Sequence, residues 1–383
     1  MNFETYPFEK LVQLLESITP NNHYAPLSLT IGEPQFETPM FIQEALQKHV
    51  SLLNKYPKSS GETLLKEGIL KYLKNRFDLT LQESEIIPTF GTREVLFNFP
   101  QFWLHEIEIA QIAFPNPFYQ IYEGAAKASY ARVIHLNLTK ENGFLPTIDE
   151  ERLQYAHLVI LNTPNNPTGS VMSMEQLKVW VRLALKHNFI LLNDECYIDI
   201  YMNEPLPSLL NASIEVGNES FKNILVINSI SKRSSAPGLR SGFIAGDAKI
   251  LKEYQTYRTY VGCALPLPLQ YASAIAWADQ SHVEIFREKY KKNFEIAKEI
   301  LGITPPEATF YIWFKVEDEI SFTTSLYQHY NLKVLPGSFL GRQGQGEGYV
   351  RLALVYEATQ TQEALERIRD FLDENHIREP LKT

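Results

Sequence analysis

The chain has 383 residues, more than one hydrophobic core usually organises, so two domains are the starting expectation. Its 44% hydrophobic and 21% charged residues are ordinary for a folded enzyme, and 45 acidic against 36 basic residues leave a formal charge of −9. With no Lys/Arg-rich run, that balance argues against a nucleic-acid binder, which needs a basic surface for phosphates.

Two cysteines, Cys196 and Cys263, are too few for a disulfide framework or a Cys-rich metal site, and free thiols in a reducing compartment are expected. Nine scattered histidines show no metal-ligand spacing, so no metal is expected. The opening MNFETYPFEKLVQLLES carries acids throughout and lacks the apolar core of a signal peptide. No stretch approaches the about 18 uninterrupted apolar residues of a membrane span. A cytoplasmic protein is the expectation.

In chain order, ETLLKEGILKYLKNRF (62–77) reads as an amphipathic helix, and REVLFNFPQFWL (93–104) as another, begun after Gly91-Thr92. Three short, nearly continuous apolar runs follow: HLVILN (157–162), NFILLND (188–194) and NILVINS (223–229). Between the first two, EQLKVWVRLALKHN (175–188) has helical spacing, which makes a β-α-β unit. Strands apolar on both faces belong to a mostly parallel sheet covered by helices, the α/β class. After residue 285 the texture changes to a charged helix (282–301), FYIWFKV, a break, YVRLALV and a final helix (362–374). That is α+β texture. The expected division is a large domain over 35–285 and a small one formed by 1–34 together with 286–383.

Ligands of open α/β sheets sit at the carboxyl ends of the strands. Here those ends carry Asn166 in NTPNNPTG, Asp194 and Tyr197 in NDECY, and Ser229, Ser231 and Lys232 in SISK. Gly91-Thr92 at a helix start adds backbone N–H groups and a helix dipole that could hold a phosphate. An aldehyde cofactor with a pyridine nitrogen, a phenolic oxygen and a phosphate fits that set. Singly, each member has a plainer reading: Lys232 as a loop lysine, Asp194 as a helix cap, Asn-Pro-Thr-Gly as a turn. Their joint occurrence, in this order and at strand ends, outweighs those readings.

The strings TIGEPQFETP (30–39), YPKSSG (56–61), PTFGTRE (88–94), NTPNNPTG (162–169), NDECY (193–197), SISKRSSAPGLRSGF (229–243) and VRLAL (350–354) resemble the class I/II aminotransferases of the pyridoxal-phosphate fold-type I superfamily. The likeness runs over essentially the whole chain. PNPFYQIYEGAA (115–126), SKRSSAPGLRSGFIAGD (231–247) and YRTYVGCALP (257–266) are similar to the bacterial succinyldiaminopimelate aminotransferases of lysine biosynthesis.

The resemblance implies roles. Lys232 forms the Schiff base with pyridoxal 5′-phosphate and shuttles the substrate proton. Asp194 pairs with the pyridine nitrogen, and Asn166 and Tyr197 bond the phenolic oxygen. The phosphate falls to the backbone of Thr92 and Arg93, to Ser229 and to Arg240, whose fork of donors matches phosphate geometry. Tyr119 stacks on the ring, although a core aromatic reading applies equally to its neighbours Phe118 and Tyr122. Tyr56 reaches the phosphate of the neighbouring subunit, which implies a homodimer with shared sites. Arg351, helped by the backbone at Gly32, binds the substrate α-carboxylate.

Lys58, Arg233 and Arg258 are candidates to meet a distal anionic group, with a solvated lysine or a structural arginine as the weightier reading. One departure stands out: Ala308-Thr309 occupies the place where the family usually has paired glycines. The implied reaction is transfer of an amino group between N-succinyl-LL-2,6-diaminopimelate and 2-oxoglutarate. The alternatives are an aspartate, aromatic or broad-specificity aminotransferase, a β-lyase on the same cofactor, and a cofactor-binding regulator, for which residues 1–30 are too short and acidic to supply a DNA-binding domain.

Overall fold

The computed structural model describes residues 3–375. Seven strands form the larger sheet: β1 (Ile86–Thr89), β2 (Gln111–Asn116), β3 (Arg132–Asn137), β4 (Leu158–Asn162), β5 (Ile190–Asp194), β6 (Ile224–Ser229) and β7 (Gly242–Gly246). Their spatial order is β1-β7-β6-β5-β4-β2-β3. β7 runs antiparallel to both of its neighbours, and the other pairings are parallel. The three apolar runs lie side by side as β4, β5 and β6.

Alternate side chains of these strands enter different cores. Val159, Leu161, Leu191 and Val226 join one hydrophobic cluster with Trp180, Leu73 and Trp277 from helices on that face. Ile160, Leu192, Leu225 and Ile227 join a second cluster with Leu96, Phe99 and Tyr254 on the other. Burial on both faces explains why the runs are continuous rather than alternating. Each fully buried Leu, Ile or Phe adds about 1.5–3 kcal/mol relative to leaving it in water.

Local signals decide the boundaries. The helix Met174–His187 begins with a reciprocal cap, in which Ser173 Oγ accepts from Gln176 N–H (3.3 Å) and Gln176 Oε1 from Ser173 N–H (2.8 Å). Asn188 ends it in the left-handed conformation, so β5 starts at Ile190 rather than at 188 as the apolar run suggested. The last helix, Ala358–Glu374, begins four residues before the expected 362, because its polar first turn carries no apolar spacing to read.

A separate three-stranded antiparallel sheet consists of Leu335–Pro336, Tyr349–Ala353 and Tyr311–Lys315, in that order. Its cluster includes Phe294, Phe310, Phe314, Leu326, Leu352 and Ile368. Leu27–Ser28 pairs in parallel with Leu332–Lys333, and the N-terminal helix Pro7–Leu15 packs on Trp313 and Leu335. Thr309 N–H donates to Ile200 O (2.8 Å), and Ala308 bridges Tyr201, so this part is stitched to the segment following β5. Where a glycine was the expected residue, Thr309 sits buried at φ +76°, a strained setting for a β-branched side chain.

Candidate active site

The parallel register aligns the ends of three strands: Asn162 of β4 faces Asp194 of β5, and Asp194 faces Ile227 of β6, two residues before Ser229. One amide organises the loop after β4. Asn162 Nδ2 donates to Asp194 O (2.9 Å) and Pro164 O (3.1 Å), while its Oδ1 accepts from Asn166 N–H (2.8 Å). Asn166 is thereby carried over the end of β5, and its Oδ1 accepts from an Arg351 guanidinium nitrogen at 2.7 Å.

Arg351 is buried on its strand with its other terminal nitrogen donating to Thr30 O (2.5 Å). Its Nε has no hydrogen-bond partner, and no carboxylate pairs with it among the described residues. A buried, partly satisfied guanidinium over a cleft suits an incoming carboxylate.

Asp194 is also buried. It accepts from the Tyr122 hydroxyl (3.0 Å) and Cys196 N–H (3.2 Å), both neutral donors. Burial therefore raises its pKa, since the charged form is desolvated without a cation in contact. Ser229 ends β6 in extended conformation and caps the short helix Ile230–Arg233, from which Lys232 reaches the cleft. The Lys232 amine donates to Gly32 O, and desolvation lowers its pKa to about 8. Tyr197 points its hydroxyl at that of Tyr311, 3.0 Å away.

At the other end of the cleft, Gly91 caps the helix Thr92–Leu104 at φ +74°. A Cβ there would lie 2.5 Å from a nitrogen of Arg240, so a side chain at this position would push the guanidinium away from the helix N-terminus. Arg240 donates to Pro237 O (3.0 Å) and has no carboxylate partner among the described residues. Helix dipole, free N–H groups and guanidinium converge as an anion cradle.

These groups line one cleft of about 1040 Å³, together with Gly32, Thr92, Arg93, Tyr119, Asn166, Tyr197, Ser229 and Arg351. Tyr56 is not among its walls and stands fully exposed. The three cations considered for a distal acid also lie elsewhere. Arg233 is buried on Asp199 (2.8 Å), Arg258 is buried on Glu94 (2.5 Å), and exposed Lys58 pairs with Glu62 (3.3 Å).

The Aminotransferase class I and II family model matches residues 25–368. The chain belongs to this family. Aminotransferase AspB from Helicobacter pylori superposes with a TM-score of 0.95 at 51% identity, covering 97% of this chain and all of that one. An LL-diaminopimelate aminotransferase of Natranaerobius thermophilus is 30% identical over 90% of this chain and 91% of its own length. An aspartate aminotransferase of Thermotoga maritima is 30% identical over 91% of each chain.

This aminotransferase, like its family, works with pyridoxal phosphate, and the donor set fits that group. A buried carboxylate lacking a cation complements a pyridinium, the anion cradle complements a phosphate, and the desolvated lysine complements an aldehyde. Sequence reading missed several cleft residues. The Arg93 side chain was overlooked because only its backbone N–H was weighed; its Nε donates to the Tyr119 hydroxyl (2.9 Å). Tyr122, Cys196 and Tyr311 were missed as well, since a lone aromatic or thiol in an apolar run looks like core.

Proposed function

We propose that this aminotransferase exchanges the amino group between N-succinyl-LL-2,6-diaminopimelate and 2-oxoglutarate, as a cytoplasmic homodimer of lysine biosynthesis. The observation that carries the acidic-substrate reading is Arg93. With Arg233 and Arg258 bound to buried carboxylates, Arg93 is a cleft cation held, among the described residues, by phenols, the Tyr119 hydroxyl at 2.9 Å and that of Tyr6 at 3.4 Å. Phenols orient a guanidinium without neutralising it, so it stays available to a distal carboxylate. Relatives named LL-diaminopimelate aminotransferases support the longer diacid.

In this reading Arg351 takes the α-carboxylate, exchanging its Asn166 contact for the substrate, while Gly32 lines the same wall. Asp194 holds the pyridine nitrogen charged, Tyr197 and Asn166 hold the phenolic oxygen, and Tyr119 covers the ring. Thr92, Arg93 N–H, Ser229 and Arg240 hold the phosphate. Bound there, the cofactor supplies an electron sink for the bond that breaks at the substrate Cα. Lys232 supplies the amine that anchors the cofactor aldehyde and, once displaced, takes the proton from Cα. An amine with a pKa near 8 is a competent base close to neutrality.

The division into 35–285 and 1–34 with 286–383 is supported by the separate sheets and their separate cores. The dimer is supported by Tyr56 and Tyr260, both almost fully exposed, on segments tied by a Ser59–Thr259 hydroxyl pair at 2.9 Å.

The testing experiment is a single-turnover assay of the cofactor-loaded enzyme with glutamate, N-succinyl-LL-diaminopimelate, aspartate, phenylalanine and cystathionine, followed by absorbance. Fast conversion with the succinylated compound and glutamate is expected. Preference for aspartate, the activity named for the Thermotoga relative, or for phenylalanine would overturn the succinylated substrate. Pyruvate released from cystathionine would indicate a lyase.

A further inference from the structure

Tyr311 lies at the meeting point of three groups in the cleft, Tyr197, Arg351 and Gly32. Its hydroxyl is 3.0 Å from that of Tyr197, and its ring lies under the Arg351 guanidinium, 4.4 Å from carbon to centroid. A Cβ on Gly32 would overlap the Tyr311 hydroxyl, so that glycine makes room for the phenol and presents its carbonyl to Lys232. The strand fixes this placement: Tyr311 pairs with Ala353, two residues from Arg351, and its N–H donates to Thr309 Oγ1 (3.1 Å).

We propose that Tyr311 is a positioning residue that aims the proton of Tyr197 at the phenolic oxygen of the cofactor. The inference rests on Tyr197 holding that oxygen. A phenol has one proton to donate, and both tyrosines are buried. If Tyr197 donated to Tyr311, it would have nothing to donate to the cofactor. With Tyr311 as donor, Tyr197 accepts from it and turns its own proton into the site. The Arg351 cation draws electron density from the Tyr311 ring, which makes that phenol the better donor. Donation into Tyr197 then strengthens the hydrogen bond that Tyr197 makes, because chained hydrogen bonds polarise one another. Arg351, which meets the substrate carboxylate, is thus connected through Tyr311 to the residue that adjusts the cofactor.

A donor on the phenolic oxygen draws charge from the nitrogen linking the cofactor to Lys232, so that nitrogen loses its proton at lower pH. The test is a pH titration of the visible absorbance of loaded wild type, Tyr311→Phe, Tyr197→Phe and the double variant. Tyr197→Phe should raise the midpoint by about 1–2 units, the worth of a hydrogen bond to a charged group. Tyr311→Phe, with the ring stack kept, should raise it by about 0.2–0.5 unit and add nothing in the double variant. An unchanged or lowered midpoint in Tyr311→Phe, or an equal shift in the Tyr197→Phe background, would overturn the relay. No shift in Tyr197→Phe would overturn it too, by removing the Tyr197 role beneath it. Unchanged thermal midpoints of the single variants show that the shifts are not misfolding.

Discussion

Asp194 and Asp199 stand five residues apart, both buried, and their surroundings are opposite. Asp194 has a phenol and a backbone N–H for company and no cation in contact among the described residues. Asp199 is gripped by Arg76 (3.0 Å), Arg233 (2.8 Å) and the Tyr72 hydroxyl (2.9 Å). Burial pushes both pKa values up. At Asp194 it prevails, whereas at Asp199 the two guanidinium groups outweigh it and hold the carboxyl below its usual range. The difference separates a group kept ready for a ligand from one consumed by the fold. An unsaturated buried charge marks the site, and a saturated one marks the scaffold.

The largest effect is expected from breaking the scaffold. Asp199→Ala strands two buried guanidinium groups and should cost about 3–5 kcal/mol of stability, read by denaturant unfolding of the apoenzyme. Asp194→Ala should do the reverse: turnover should fall about 10²–10³-fold while unfolding stability is preserved. Comparable stability losses in the two variants would erase the distinction.

Arg93 and Arg258 extend the comparison to cations. Arg93→Leu should raise KM for acidic amino donors about 10–100-fold and leave phenylalanine little affected, whereas Arg258→Leu should lower stability without changing that ratio. A uniform loss for all donors in Arg93→Leu would show that it does not read the distal acid.

The two carboxylates also differ in sign against pH. Asp194, with a raised folded pKa, has its favourable contribution below the ordinary value of 3.8 and loses it as pH climbs through the folded value. Asp199, with a depressed folded pKa, contributes above 3.8 and loses that only as pH falls through its lowered value. Apoenzyme Asp194→Asn should therefore be no less stable than wild type at pH 7, and Asp199→Asn less stable.

The smallest effect concerns Lys232. Its amine is neutral above about pH 8, so the rate of reloading apoenzyme with pyridoxal phosphate should rise with pH and level off there. A rise continuing toward the ordinary lysine range would show that the amine is not desolvated.

Much of the molecule was legible along the chain because its signals are local. Apolar runs at strand length report β4, β5 and β6, and the strand-end rule groups Asn166, Asp194, Ser229 and Lys232 from the sequence alone. Membership of the aminotransferase family came from the resemblance of the strings that hold those residues, and the family model matches residues 25–368. What stayed hidden was every property that depends on a second segment. The three arginines and lysines weighed for a distal acid could not be ranked, because the partners of Arg233 and Arg258 lie 34 and 164 residues away in Asp199 and Glu94. Tyr311 looked like core until its hydroxyl met Tyr197 across 114 residues. Sequence by itself determined which chemical groups the strand ends would present. Only the tertiary structure decided which charges are already spent on the fold, because compensation of a buried charge is a matter of distance through space rather than along the chain.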